Sequence, residues 1–173
     1  MDYLNVCSFS LLTQSIPIGD QMKKEELVEK YSAGERDFST HWFLEEIDLS
    51  GVDLSYAKFY LAKLRGANLS NANLEGTNLL GCKLYMANLS GANLTGADMT
   101  NADLVVANLS NANLVKVDLR NASLTGANLS GANLTGANLD GIDLRSTNLT
   151  GANLNGASLK GTKIDKKQMF LLK

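Results

Sequence analysis

The sequence predicts an all-β solenoid, a rod made by coiling and stacking short strands. First, every fifth residue from Leu49 to Ile164 is apolar, and these 24 positions are all leucine except Phe59, Met99 and Ile164. Second, the residue two places before this centre is alanine in 16 of the 24 units, and the residue one place before it is asparagine or aspartate in 18. Third, Ser or Thr is the commonest residue one place after the centre, and Gly the commonest two places after it. A short fixed period over most of a chain is typical of stacked repeat proteins.

The spacing within a unit predicts which side chains face inward. Residues two apart in an extended backbone point to the same side, so the apolar centre and the small residue before it face the core. The Asn or Asp between them faces outward. The Ser-Gly pair predicts a corner, because glycine accepts a positive φ. The pattern A-N-L-S-G is intact at 87–91 and 127–131.

On these units the chain resembles the pentapeptide-repeat family, which is abundant in cyanobacteria. The resemblance covers residues 47–165, where all 24 units keep one register. It implies a right-handed quadrilateral β-helix with four units per coil, hence about six coils in total. The period of five does not itself give the number of sides. The resemblance also implies a short N-terminal helical cap.

The N-terminal region is expected to cap the rod, because a solenoid end exposes apolar surface and strand edges. Residues 1–21 are predicted to be an arm that is either disordered or packed on the rod. Residues 22–46 are predicted to form a helical cap and an irregular first turn. Met22–Ser32 holds good helix formers, with Asp20 as N-cap and Gly34 as the stop signal. A helix that binds a partner is the alternative role.

The register slips by one residue before the repeat begins. Phe38 precedes Leu49 by eleven residues rather than ten. We place the slip within His41–Glu46 and expect Trp42 or Phe43 to pack near the helical cap.

Residues 166–173 are predicted to form a C-terminal cap. The apolar residues Met169, Phe170, Leu171 and Leu172 either cover the far end of the rod or join two rods end to end. The resemblance implies that the second arrangement occurs in this family.

The sequence has few of the side-chain combinations used in catalysis or metal binding, so we predict no catalytic residue, no cofactor and no metal site. His41 is the one histidine, which leaves neither a His-rich metal site nor a Ser-His-Asp triad with its parts. The two cysteines lack ligand spacing, and Cys82 occupies an inward position where alanine is usual. Asp98 and Asp118 are expected to stack on an exposed wall, where carboxylates cap turns and keep the rod soluble.

Charge and segment composition exclude several classes of partner. The formal net charge is −2, and residues 47–165 hold nine acidic and nine basic side chains. Such a neutral rod has no basic stripe, so we expect no nucleic-acid binding. No basic residue precedes Lys23 and no apolar run reaches the length of a membrane span, so we expect no membrane association and a cytoplasmic location. No small-molecule ligand is predicted.

The sharpest departures from the motif are apolar residues in outward positions. With twenty residues per coil, they are expected to stack into one contiguous strip along the first three coils. A contiguous apolar patch usually marks an interface, here with another protein or a second copy. The alternative is that residues 1–19 fold back and cover it. The strip consists of Tyr56, Tyr60, Leu61, Leu80, Tyr85, Met86, Val105 and Val106.

These observations predict a non-enzymatic structural scaffold for protein interactions. The resemblance supplies an alternative, a DNA-mimicking protein that binds the topoisomerase gyrase. The neutral charge and the unbroken repeat weigh against that alternative. An enzyme is disfavoured further, because no insertion in the walls builds a concave pocket.

Overall fold

The computed structural model describes residues 21–39, 43–165 and 168, and the repeat dominates it. Successive parallel bridges join positions twenty apart, as between Asp48 and Asn68 and then between Asn68 and Asn88. Four five-residue units therefore complete one coil, and the rod has four sides. The strands are single-residue bridges, and within the described residues one helix is present, α1 at Lys24–Ser32.

Each side of the rod stacks apolar centres that lie twenty residues apart. Side 1 begins at Leu44, side 2 at Leu49, side 3 at Leu54 and side 4 at Phe59. Every centre from Leu44 to Leu149 is at most 1% exposed, so the predicted inward face is confirmed. The two residues after each centre form a corner, and each corner is named by the sides it joins, such as corner 1–2.

All five backbone N–H groups of a repeat unit have an acceptor, as 87–91 shows. The Ser90 N–H donates to Oδ1 of Asn88 at 3.2 Å, an Asx turn that holds the corner. Where the outward residue is Asn or Asp, its side chain satisfies the one N–H that no backbone carbonyl reaches. The other four bonds, at 2.7–2.9 Å, run from Ala87 to Leu84, Asn88 to Ala67, Leu89 to Asn108 and Gly91 to Ser110.

Asparagine side chains also bond between coils along side 2. Nδ2 of Asn108 donates to Oδ1 of Asn88 at 3.2 Å, and Asn88 donates in turn to Asn68 at 3.3 Å. The ladder starts at Asp48, which accepts from Asn68 at 3.0 Å. An aspartate suits this first position because it has no amide group to direct toward a coil that is missing.

Polar residues that replace the inward alanine bond to backbone carbonyls in the core. Thr77 Oγ1 donates to the Leu74 carbonyl at 2.7 Å, and Cys82 Sγ to the Phe59 carbonyl at 2.7 Å. Cys82 is 0% exposed, and burial raises the pKa of its thiol to about 12. It is therefore an unreactive substitute for alanine, as predicted. Among the described residues, no buried side-chain N or O lacks a partner.

Helix α1 packs against the first coil. Leu27 is 0% exposed, and the Tyr31 hydroxyl donates to the Ser55 carbonyl at 2.9 Å. Gly34, with φ +97°, allows the Glu35 N–H to reach the Lys30 carbonyl at 3.0 Å, so the predicted stop signal is confirmed.

The predicted N-cap is wrong. Helix α1 begins at Lys24, and its N-cap is Lys23, which makes no capping bond through its side chain. Asp20 lies outside the described residues and precedes the true N-cap by three positions. Residues 21–23 are extended because Gln21 pairs with Phe43 in a parallel bridge, which delays the start of the helix.

The regular repeat begins one unit before residue 47. Leu44 is 0% exposed and Glu46 has a φ of +58°, as at the later corners. The Phe43–Glu46 part of the predicted irregular turn is therefore regular, because its N–H groups bond the next coil. The extra residue falls between Phe38, whose ring stacks on Phe59 at 5.6 Å, and Phe43. His41 and Trp42 lie outside the described residues.

The C-terminal end of the rod is closed in part by Gln168. Its Nε2 donates to the carbonyls of Leu144 at 2.6 Å and Thr147 at 2.7 Å. Elsewhere in the last coil the core is less covered, since Leu159 is 38% exposed. The predicted contacts of Met169–Leu172 lie outside the described residues.

Replacing a central leucine tests the inward assignment. Leu94→Ala is expected to lower the free energy of unfolding by about 2–5 kcal/mol, because it leaves a cavity in a closed core. Ser90→Thr, on an outward corner position, is the control and should change it by less than about 0.5 kcal/mol. Urea unfolding monitored by circular dichroism measures both, and equal effects would contradict the assignment.

Candidate interaction surface

The predicted strip residues lie on three different corners. Two groups flank side 1: Tyr60, Leu61 and Leu80 on corner 4–1, and Tyr85, Met86, Val105 and Val106 on corner 1–2. Tyr56 lies on corner 3–4, at the other edge of side 4 from the first group and not beside side 1. Predicted residues that are twenty positions apart do stack, but the whole set does not form a single contiguous apolar strip. The reason is that Tyr60 and Tyr85 are five units apart, which is one coil plus one quarter turn.

Both groups beside side 1 are open to solvent. The exposed fractions are 43% for Tyr60, 44% for Leu61, 54% for Met86 and 52% for Val106. Leu80, Tyr85 and Val105 are half-buried. The two corners are about 10 Å apart, the length of the three extended residues between them.

Between these corners the outward position of side 1 carries cations. Lys63 and Lys83 occupy it in successive coils, and their backbones are bridged. The Lys63 ammonium lies 4.4 Å from the centre of the Phe43 ring, and the Arg65 guanidinium lies 6.0 Å from that of Tyr85. Side 1 in the first coils therefore presents aromatic rings and cations together.

None of these three cations forms an ion pair in the described part of the chain. The ion pairs found there join Lys30 to Glu35, Arg120 to Asp118 and Arg145 to Asp143. The carboxylates of Glu46 and Asp103 border the cationic positions without pairing with them. We call the two apolar corner groups, together with Lys63, Arg65 and Lys83, the side-1 surface.

Tyr56 has a local packing role instead. Its ring covers Gly76 one coil further on, and a Cβ built on Gly76 would lie 2.6 Å from two ring carbons. Its hydroxyl donates to Glu75 Oε1 at 3.1 Å. Leu61 covers Gly81 in the same way, at 2.5 Å from the built Cβ. A bulky corner residue is thus accommodated by glycine in the following coil.

Sequence reasoning missed two parts of this surface. Phe43 was assigned to the irregular turn, although it precedes Lys63 by twenty residues and so belongs to the outward row of side 1. Arg65 was not considered, although it follows a side-1 centre by one position, as Tyr85 does. The twenty-residue spacing was the signal for both.

Acidic side chains elsewhere on the rod are held by hydrogen bonds. Asp98 and Asp118 stack on side 4 as predicted. Hydrogen bonds from Arg120 lower the pKa of Asp118, and hydrogen bonds from the Arg145 side chain and N–H lower the pKa of Asp143 to about 2. These carboxylates stay ionised at neutral pH, which suits capping rather than proton transfer.

The described residues meet neither the requirements of a metal centre nor those of a membrane-spanning helix. They contain no group of three or more His, Cys, Asp or Glu side chains close enough to hold a metal ion. In the same part of the chain, no helix combines the length and apolar character needed to cross a bilayer.

The four-sided coils of five-residue units match a known family. A sequence model described as pentapeptide repeats matches in eight copies over residues 43–71, 62–101, 87–126, 102–141 and 127–164. The chain belongs to the pentapeptide repeat family, and its fold is the right-handed quadrilateral β-helix of that family.

Several solved structures of this family are similar to the chain. The pentapeptide repeat protein Rfr23 of the cyanobacterium Cyanothece 51142 is 31% identical, with 80% of this chain and 97% of Rfr23 covered and a TM-score of 0.45. HetL of the cyanobacterium Nostoc sp. strain PCC 7120, involved in heterocyst differentiation regulation, is 30% identical, with coverages of 83% and 95% and a TM-score of 0.28. A family member from the thylakoid lumen of Arabidopsis thaliana is 31% identical, with coverages of 73% and 74% and a TM-score of 0.44. No curated protein matches the sequence significantly.

Substituting the glycine under Tyr56 tests the corner packing. Gly76→Ala and Gly96→Ala both place a Cβ at a left-handed residue on corner 3–4, with φ of +61° and +67°. Both should lose about 1–2 kcal/mol of stability from backbone strain. Gly76→Ala should lose about 1 kcal/mol more, because the Tyr56 ring must move, whereas Gly96 has open space.

Combining Gly76→Ala with Tyr56→Ala is the control, because it removes the clash. In a double-mutant cycle measured by urea unfolding, the second substitution should abolish the excess loss. Equal losses for both glycines, with no coupling to Tyr56, would show that the ring does not pack on this corner.

The Asp143–Arg145 pair predicts a specific response to acid. Because the pKa of Asp143 is lowered in the fold, its contribution to stability is complete above the unfolded pKa of about 4. It is lost as the pH falls toward the folded value of about 2. In the Arg145→Gln variant, carboxyl NMR titration should show a higher pKa for Asp143, and an unchanged value would disprove the assigned cause.

Proposed function

We propose that this chain is a non-enzymatic scaffold that binds another protein through the side-1 surface, and that it works in the cytoplasm. The observation that supports the proposal is the surface itself. Exposed apolar groups flank cations that have no ion-pair partner in the described residues. Aromatic residues, methionine and arginine are enriched in the cores of protein interfaces.

The walls of the rod support binding over catalysis. The sides are flat or convex, and their outward residues are engaged in turn bonds and ladders. Grooves of about 490 and 330 Å³ lie at the two ends of the rod and are lined by cap residues such as Met22 and Gln168. In the described part of the chain, no Ser, Thr or Lys side chain that lines these grooves bonds to a carboxylate of the same groove, as a nucleophile and its general base would.

The alternative, mimicry of DNA toward a topoisomerase, requires a strongly anionic surface. The repeat carries equal numbers of acidic and basic side chains, and on side 1 Lys63, Arg65 and Lys83 lie beside Glu46 and Asp103. Asp118 on side 4 and Asp143 further along side 1 are each paired with an arginine. These charges favour the scaffold.

Substitutions on the side-1 surface test the proposal. Tyr85→Ser with Met86→Ser removes two exposed groups from corner 1–2. Val115→Ser with Lys116→Ser is the matched control, because these residues hold the same two positions on corner 3–4. Both variants should unfold at similar urea concentrations, since all four side chains point outward.

We expect one protein that copurifies with the wild-type chain to be lost with the first variant, retained with the control, and to bind the chain when both are purified. Sedimentation of the pure chain measures self-association in parallel. Identical copurifying proteins and identical sedimentation for both variants would overturn the proposal.

A further inference from the structure

The side-1 surface lies beside the point where the N-terminal segment enters the described fold. Gln21 pairs in parallel with Phe43, the first outward residue of side 1, and Phe43 pairs with Lys63 above it. From Gln21 the chain continues into α1, which leads away from side 1 to corner 3–4, where Tyr31 bonds to Ser55. Residues 1–20 are therefore tethered at the foot of side 1.

The segment is long enough to span this surface. From Phe43 to the most distant group, Val106, the surface rises by three coils, or about 15 Å at the spacing of paired strands. Twenty residues extend to roughly 66 Å at most. The segment can therefore cross side 1 and both of its corners without being fully extended.

The chemistry of the segment is complementary to that of the surface. Residues 1–20 contain ten apolar side chains, two carboxylates at Asp2 and Asp20, and no Lys, Arg or His. The side-1 surface offers apolar corners about 10 Å apart and three cations between and beside them. An apolar segment without basic side chains would bury the corners without adding positive charge beside the cations.

We propose that residues 1–20 lie across the side-1 surface in the free protein, so that a partner must displace them. The inference concerns the same surface as the proposed function and rests on it for the partner. Covering by the segment accounts for apolar groups that a soluble rod would otherwise expose. Tethering raises the local concentration of the segment, so weak contacts suffice to hold it.

Thiol labelling in the full chain tests this cover. Cys7→Ser removes the thiol of the segment, while Cys82 stays silent because it is buried and its pKa is about 12. Met86→Cys then reports on the side-1 surface. Lys116→Cys, at the equivalent corner position with a similar φ, reports on an uncovered corner.

We expect maleimide to label Met86→Cys more slowly than Lys116→Cys by about tenfold or more. Adding Leu11→Ser, Leu12→Ser and Ile16→Ser to the segment should accelerate labelling at position 86 to within about twofold of the control. These three serine substitutions should leave labelling at position 116 unchanged. Thermal unfolding checks that the rod itself is unaffected.

Labelling at position 86 that is fast in the full chain and insensitive to the serine substitutions would overturn the inference. Protection that falls on dilution would also overturn it, because a second copy would then be the cover. Either result leaves the proposed function intact if Tyr85→Ser with Met86→Ser still abolishes partner binding. If position 86 is protected from labelling but Tyr85→Ser with Met86→Ser does not change partner binding, the proposed function alone is overturned.

Discussion

The rod depends on one hydrogen-bond register, in which each residue pairs with the residue twenty positions later. Within a unit, three N–H groups bond neighbouring coils, one closes the corner, and the last is held by the outward Asn or Asp. Because a buried N–H without an acceptor is costly, this arrangement restricts the side positions strongly. The corner side chains take no part in it. Sequence variation therefore concentrates at the corners, and the exposed apolar residues lie there.

The substitutions in the core follow from the same constraint. A threonine or cysteine in the inward alanine position is tolerated because a carbonyl lies within reach, as for Thr77 and Cys82. At the ends, coils lack one neighbour, and polar groups supplied from outside the repeat take its place. Gln168 does this at the C-terminal end, where it bonds two carbonyls of the last complete coil. Tyr31 does so at the N-terminal end by bonding Ser55.

The sequence was sufficient to predict the core but not the arrangement of the surface. Alternation within a unit determines that Leu94 faces inward and Asn93 outward, whatever the number of sides. The corner on which a residue lies depends on the number of units per coil, and here Tyr60 and Tyr85 were assigned to one strip although a quarter turn separates them. The start of α1 could not be predicted from capping rules, because a bridge from Gln21 to Phe43 holds the preceding residues extended. The residue that shifts the register lies between Phe38 and Leu44. Both are apolar and suit a core position, so the sequence alone did not locate the shift.

Because four units complete one coil, the corner on which a surface residue lies depends on how many units precede it. Losing one pentapeptide between Leu61 and Tyr85 would leave every remaining unit able to re-pair, yet it would turn the downstream rod by a quarter relative to the upstream part. Tyr85 and Met86 would then follow on the same corner as Tyr60 and Leu61, and the lysine row between them would disappear from the middle. The loss of a whole coil, twenty residues, would shorten the rod and keep each corner aligned. A change of one, two or three whole five-residue units therefore alters what the rod displays without altering how it folds, whereas a change of twenty residues keeps both.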